Sequence, residues 1–401
     1  MPREILDTEK AVLERYQRAA RKAEGALCCP TSYDPRYLEA IPEEILQRDY
    51  GCGDPTPYVR PGDTVLDLGC GAGKICFIAA QLAGPKGKVI GVDFNSEMLA
   101  LARQHQPEVA RRLGYDNVVF HRARIQDLAL PLDEVEAYLA SRPVRSAAAL
   151  AEFEAFANRL RTQAPLMADN SVDVIVSNCV LNLIKDTEKE KLFAEMYRVL
   201  KRGGRAAISD IVADEDVPPA MKRDAKLWSG CIAGAFREDK FLEAFERAGF
   251  YGIKIARRDD QPWQTVRGIE FRSVTVTARK GKEGPCRERY QAVLYKGPWK
   301  EVRDDDGHTL RRGQRMAVCD KTYKILTAAP YSDEIVPVPP RREVPLGQAR
   351  DFTCKGAAVR DPKETKGRGY RASTVARRGE RKSNHKTVAA TKSVCGPEGC
   401  C

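Results

Sequence analysis

An apolar strand that runs straight into a triplet of glycines constrains this chain more than any other feature. Thr64-Val-Leu-Asp-Leu68 reads as a buried strand, Gly69-Cys-Gly71-Ala-Gly73 as a tight turn, and Lys74 to Leu82 as a helix. Strand, glycine turn and helix together form the nucleotide-cradling unit of an open α/β sheet. The glycines fall at 69, 71 and 73, so they lack the G-x-G-x-x-G spacing that lays a pyrophosphate on a helix N-terminus. An acid, Asp67, stands just before them. About twenty residues further on, the strand Lys88-Val-Ile-Gly-Val-Asp93 ends in a carboxylate able to accept two hydrogen bonds from a ribose diol. Asn95-Ser96 then start a helix that carries Met98.

This spacing resembles the S-adenosylmethionine (SAM) loop of class I methyltransferases, where glycines let the backbone approach a ligand with no phosphate to neutralise. Further strands are expected at Val118 to Ala123, Ser171 to Ser177, Ala206 to Val212, Tyr251 to Arg257 and Ile269 to Thr277. Alternating with helices, they give a doubly wound sheet of seven strands. The expected organisation is an N-terminal helical segment and loop over 1–60, a Rossmann-like domain over 61–280 with a helical surface insertion at 132–167, and a small β-rich module over 281–340. A disordered basic tail follows over 341–401.

That tail holds 15 Lys/Arg against 6 Asp/Glu, so most of the net charge of +11 sits there and the body is nearly neutral. A neutral body argues against a specific nucleic-acid groove. The lack of an apolar run of the ~18 residues a bilayer requires argues against a membrane span, and the charged N-terminus has no signal-peptide core. The expected compartment is the cytoplasm and the expected state a monomer. Thirteen cysteines are an unusual load for such a protein, and with no C-x-x-C pair and only four histidines neither a disulfide scaffold nor a compact zinc site accounts for them.

Their placement is more telling than their number. Cys179 follows the fourth strand, where an open α/β sheet binds its ligands. Cys52 lies in the Gly/Pro-rich loop before the first strand, and Cys231 in a glycine-flanked turn after the fifth. Cys70 and Cys76, flanked by core residues, read as small buried hydrophobes. Cys286 and Cys319 read as structural residues of the β module.

Tyr50-Gly-Cys52-Gly, Ser177-Asn-Cys179-Val-Leu-Asn-Leu183, Ser229-Gly-Cys231-Ile-Ala-Gly-Ala235 and Phe271-Arg-Ser-Val-Thr275 resemble the arsenite SAM-dependent methyltransferases over about residues 25 to 330. The resemblance implies that Cys52, Cys179 and Cys231 bind trivalent arsenic and that Cys28 or Cys29 takes part in thiol exchange. It further implies a SAM site lined by Asp67, Gly69, Gly71, Asp93, Met98, Ile125 and Asn178, with Gly73 completing the turn. Thioredoxin or glutathione would serve as thiol reductant. Thiolates prefer soft acceptors, and an arsenic lone pair needs no general base, which fits the lack of a His or Glu constellation. Two other readings explain half of the pattern each. A methyltransferase acting on another small molecule leaves the loop cysteines idle, and a non-catalytic protein that sequesters As(III) leaves the Asp67 to Asp93 constellation idle.

Overall fold

The computed structural model describes residues 6–27, 31–48, 50–354, 358–367 and 369–370; Cys28, Cys29, Cys395, Cys400 and Cys401 lie outside the described residues. Seven strands make the main sheet path: β1 (Thr64–Leu68), β2 (Lys88–Asp93), β3 (Val118–Arg122), β4 (Val172–Asn178), β5 (Leu200–Ala213), β6 (Tyr251–Arg258) and β7 (Ile269–Arg279). Their order is β3-β2-β1-β4-β5-β7-β6. The first five are parallel, and β7 runs antiparallel to both β5 and β6. Val65, Leu66 and Leu68 of β1 and Val174, Ile175 and Val176 of β4 have no exposed surface, the continuous apolar signature of strands covered on both faces.

β2 and β3 lie to one side of β1 while β4 and β5 lie to the other, so the chain reverses its direction of winding between β1 and β4. Strand ends splay apart at such a point and leave a crevice at their carboxyl edge. Three helices border it: α1 (Thr8–Arg21), α2 (Lys74–Ala83) and α3 (Ser96–Leu113). The side chain of Asn95 caps α3 by accepting from the backbone of Glu97 and Met98 at 3.0 and 3.3 Å.

The insertion folds as two helices, Leu132–Ser141 and Ala147–Gln163, which share a small cluster of their own around Leu130, Val135, Ala157 and Leu160. Tyr138 stacks on Phe156 at 4.2 Å. The C-terminal module is a three-stranded antiparallel sheet, Arg315–Ala317, Ala292–Tyr295 and Ile335–Val338, with a short helix α4 (Asp320–Leu326).

The described residues of 341–370, grouped with the tail on composition, differ from that expectation. Ala349, Arg360 and Thr365 are buried, Ala317 donates to the Ala358 carbonyl at 2.8 Å, and Arg360 grips Glu288 through two bonds of 2.8 and 2.9 Å. Backbone pairing and a buried ion pair hold this stretch, so its polar composition hides its order.

Candidate functional site: a cofactor cleft beside a thiol cluster

The crevice opens into a cleft enclosing about 1130 Å³, solvent at its mouth included, lined by the turn after β1, the ends of β2 and β4, and the inner face of α1. Of the residues expected to hold SAM, Asp67, Gly69, Gly71, Asp93, Met98, Ile125 and Asn178 all line it. Gly73 does not: it caps α2 with a left-handed backbone. Gly71 is also left-handed (φ 51°), and a Cβ built on it would meet nothing within 4 Å, so its bare backbone faces the open cleft.

Asp93 accepts from the Gly71 amide at 2.9 Å and the Asn95 amide at 2.8 Å, which fixes its carboxylate at the end of β2. Burial raises its pKa, against the pull of these amides. Asp67, buried at the end of β1, takes the Cys76 thiol at 3.2 Å. Burial pushes the Cys70 thiol up to about 11 and the Cys76 thiol well above its ordinary value, so both stay protonated and behave as core groups.

Several polar atoms on the cleft wall have no partner within the protein: Asn95 Nδ2, Thr8 Oγ1 and Arg48 Nε are all buried and unsatisfied. Leaving such groups unmade is costly, on the order of 1–3 kcal/mol each. A cleft with two fixed carboxylates, a bare glycine backbone and unsatisfied donors suits a ligand with ribose hydroxyls and purine acceptors, and these residues fit SAM.

Cys179 also lines the cleft, and the thiol cluster starts there. The backbone of Cys179 leaves β4 in the left-handed region at φ 62°, and Cys231 adopts the same φ of 62° in the turn after α5 (Ala225–Ser229). For a non-glycine residue this conformation is costly, and strain of this kind concentrates at functional sites. The sulfurs of Cys52 and Cys179 and a carboxylate oxygen of Asp210 all lie within 4.8 Å of one another. Cys231 stands outside that group, its Sγ directed to the Cys179 carbonyl at 3.3 Å. All three cysteines are buried in one apolar cluster with Ile211, Met221, Ile232, Ile269 and Phe271, which Trp263 partly covers.

The loop that carries Cys52 is held by Asn178. Its Oδ1 accepts from the amides of Cys52 and Gly53 at 2.9 and 3.1 Å, and its Nδ2 donates to the Gly53 carbonyl at 2.7 Å and the Tyr33 hydroxyl at 2.9 Å. Ser273 donates to the Cys52 carbonyl at 2.5 Å. Gly51 has to be glycine, because a Cβ there would sit 2.1 Å from Asn178 Nδ2.

Two titratable groups beside the thiols escaped the sequence reading. Asp210 is fully buried, and desolvation pushes it up to about 7 although it accepts from the amides of Leu181, Asn182 and Ile211 and from the Asn182 side chain. Its signal was an acid inside the apolar strand Ala206 to Val212. Tyr16 of α1 is the other: burial, with the thiols of Cys231 and Cys179 beside it, raises its hydroxyl pKa well above the ordinary value. Of the nearby aromatics, Tyr33 donates to the Gly53 carbonyl at 3.1 Å and carries the Lys74 ammonium 3.6 Å above its ring, whereas Phe236 packs edge-on against Phe193.

α1 closes the assembly. Arg15 reaches from it to the Lys226 carbonyl at 3.0 Å and Ser229 Oγ at 3.2 Å, tying the wall of the cleft to the helix that precedes Cys231. Among the described residues, no helix is long and apolar enough to cross a membrane.

Residues 60–249 match the methyltransferase domain family, and residues 282–370 match a domain of unknown function. The chain is 32% identical over 317 residues to an arsenite methyltransferase of Aquipseudomonas alcaligenes, covering 75% of this chain and 81% of that protein. It is 28% identical to an arsenite methyltransferase of Mus musculus, covering 82% of this chain and 81% of the relative. A solved arsenic(III) S-adenosylmethionine methyltransferase from Chlamydomonas reinhardtii shares the fold at a TM-score of 0.52 and 24% identity, over 81% of this chain and 100% of the other. The class I fold, the cleft at its switch point and this kinship agree: the chain is a SAM-dependent methyltransferase and belongs to the arsenite methyltransferase family.

Proposed function

We propose that this enzyme methylates trivalent arsenic held by Cys52, Cys179 and Cys231. The observation that supports it best is the meeting of the Cys52 and Cys179 sulfurs within 4.8 Å, with Cys179 itself on the wall of the cofactor cleft. Three thiolates bound to one pyramidal ion at ~2.3 Å lie less than ~4.0 Å apart, so the pair stands within a side-chain rotation of sharing that ion. The third arm, Cys231, has to turn its sulfur from the Cys179 carbonyl toward the other two. Each thiol replaces an oxygen ligand of arsenite and releases water, leaving a pyramidal centre.

SAM, when bound, supplies a sulfonium methyl group as the electrophile for the arsenic lone pair. The protein contributes alignment and a dry environment. Asp93 and the Gly71 backbone hold the cofactor end, the thiolates fix the arsenic, and the apolar cluster of Ile211, Met221, Ile232 and Phe271 keeps water out. Methyl transfer formally oxidises arsenic by two electrons. Two cysteine thiolates return them by forming a disulfide, which thioredoxin or glutathione reopens in the cytoplasm. Cys28 or Cys29 belongs to this exchange by family resemblance.

Purified enzyme with SAM, arsenite and a thiol reductant, followed by mass spectrometry, tests the proposal. Methylarsenic species are expected, and Cys179→Ser should abolish them while SAM binding persists. Arsenite binding without turnover would make the chain a sequestering protein. SAM binding without arsenite binding would point to another methyl acceptor.

A further inference from the structure

A second group of three sulfurs lies outside the cleft, in the C-terminal module. The Sγ atoms of Cys286, Cys319 and Cys354 are all within 4.8 Å of one another. The segments that bear them are fixed by backbone bonds: Phe352 donates to the Cys286 carbonyl at 2.9 Å, Asp320 to the Arg287 carbonyl at 2.9 Å, and Glu288 to the Arg350 carbonyl at 2.9 Å. Three stretches far apart in sequence thus present thiols to one point before any ligand arrives. Preorganisation of this kind spares an incoming ion the entropy of gathering its ligands.

The thiols are not equivalent. Cys319 is fully buried and caps α4, where its sulfur accepts from the Thr322 amide at 3.4 Å and touches Thr322 Oγ1 at 3.2 Å. Burial alone would raise its pKa, but these contacts and those from Cys354 and Cys286 outweigh burial and lower it. Burial and hydrogen bonding to Cys286 move Cys354 the other way. Cys319 is therefore the sulfur that its surroundings favour most as thiolate.

We propose that Cys286, Cys319 and Cys354 form a second binding site, for a soft trivalent metalloid ion of the As(III) or Sb(III) class in three-coordinate form. The sulfurs already lie within 4.8 Å of one another, and one ion bonded to all three at ~2.3 Å needs them within ~4.0 Å, so an inward rotation of the thiols closes the site. Zinc in a closed structural site takes four ligands, and among the described residues no fourth Cys, His, Asp or Glu joins this group. Binding exchanges three oxygen ligands of arsenite for three sulfurs and releases three waters; no electron changes hands. The bound ion cross-links the start of the module, its helix and its C-terminal stretch, and so stabilises the module in proportion to occupancy.

The test is arsenic content after gel filtration of the full-length chain with Cys28, Cys29, Cys52, Cys179, Cys231, Cys395, Cys400 and Cys401 all changed to Ser. Arsenite is the probe, in the presence of a phosphine reductant. One arsenic per chain is expected, with three sulfur neighbours by X-ray absorption, and adding Cys319→Ser should reduce it to background. Since this variant lacks the cleft cysteines, the result is independent of the proposed activity. Should the multiple variant fail to fold, Cys354→Ser in the otherwise native chain should lower arsenic content by one equivalent with circular dichroism unchanged. No retained arsenic in a folded variant, retention unaffected by Cys319→Ser, or zinc bound in preference to arsenite would each overturn the proposal.

Discussion

The side chain of Asn178 holds the backbone of Cys52: its Oδ1 accepts the Cys52 amide at 2.9 Å across a separation of 126 residues in sequence. One residue along from Asn178 is Cys179, so a single dipeptide both supplies a thiol and fixes the loop that supplies its neighbour. The side-chain amide that seemed suited to hold SAM spends its hydrogen bonds on that loop, while Asn178 still lines the cleft.

Asn178→Ala should therefore weaken arsenite binding more than SAM binding. Losing the three hydrogen bonds to the Cys52 loop, at ~1 kcal/mol net each, corresponds to about 3 kcal/mol, or roughly 150-fold. Isothermal titration with each ligand separates the two effects, and equal losses for both would contradict the clamp.

Gly51→Ala should produce the same defect by another route, because the added Cβ would lie 2.1 Å from Asn178 Nδ2 and drive the amide off the loop. Overpacking of this kind costs about 1–3 kcal/mol. In an Asn178→Ala background the same substitution should cost little, and a double-mutant cycle in urea unfolding reads that coupling.

Arg15→Met should loosen α1 from α5 while keeping the apolar stem of the side chain. The bonds to the Lys226 carbonyl and Ser229 Oγ disappear, together with the ion pair to Glu24 at 2.6 Å. Faster amide hydrogen exchange over Thr8–Arg21 and faster release of S-adenosylhomocysteine are expected. Unchanged protection of α1 would show that this anchor is dispensable.

The C-terminal module should lose stability as pH rises from neutral. The hydrogen bond and charge of Asp304, 2.8 Å from Nδ1, raise the His308 pKa. A raised histidine contributes its full stabilisation below the unfolded value of about 6.5 and loses it as pH climbs through the higher folded value. Asp304 is lowered: burial opposes this, but the bond from His308 outweighs it, so its own contribution disappears only in acid. Thermal unfolding should show a midpoint falling between pH 6 and pH 8, and His308→Gln should flatten that slope.

The sheet, the switch-point cleft and the residues of the cofactor turn were legible in the chain, because apolar strands, glycine spacing and terminal acids act over a few neighbouring residues. Asp67 and Asp93 could be placed at strand ends from local pattern alone, and both line the cleft. The approach of Cys52 to Cys179, the direction of the Cys231 sulfur, the burial of Asp210 and the packing of Arg360 on Glu288 emerge from long-range packing alone. So does the meeting of Cys286, Cys319 and Cys354, two of which read as ordinary structural residues in isolation. Each of these depends on segments tens to hundreds of residues apart arriving at one point, and neither periodicity nor composition encodes where such segments cross.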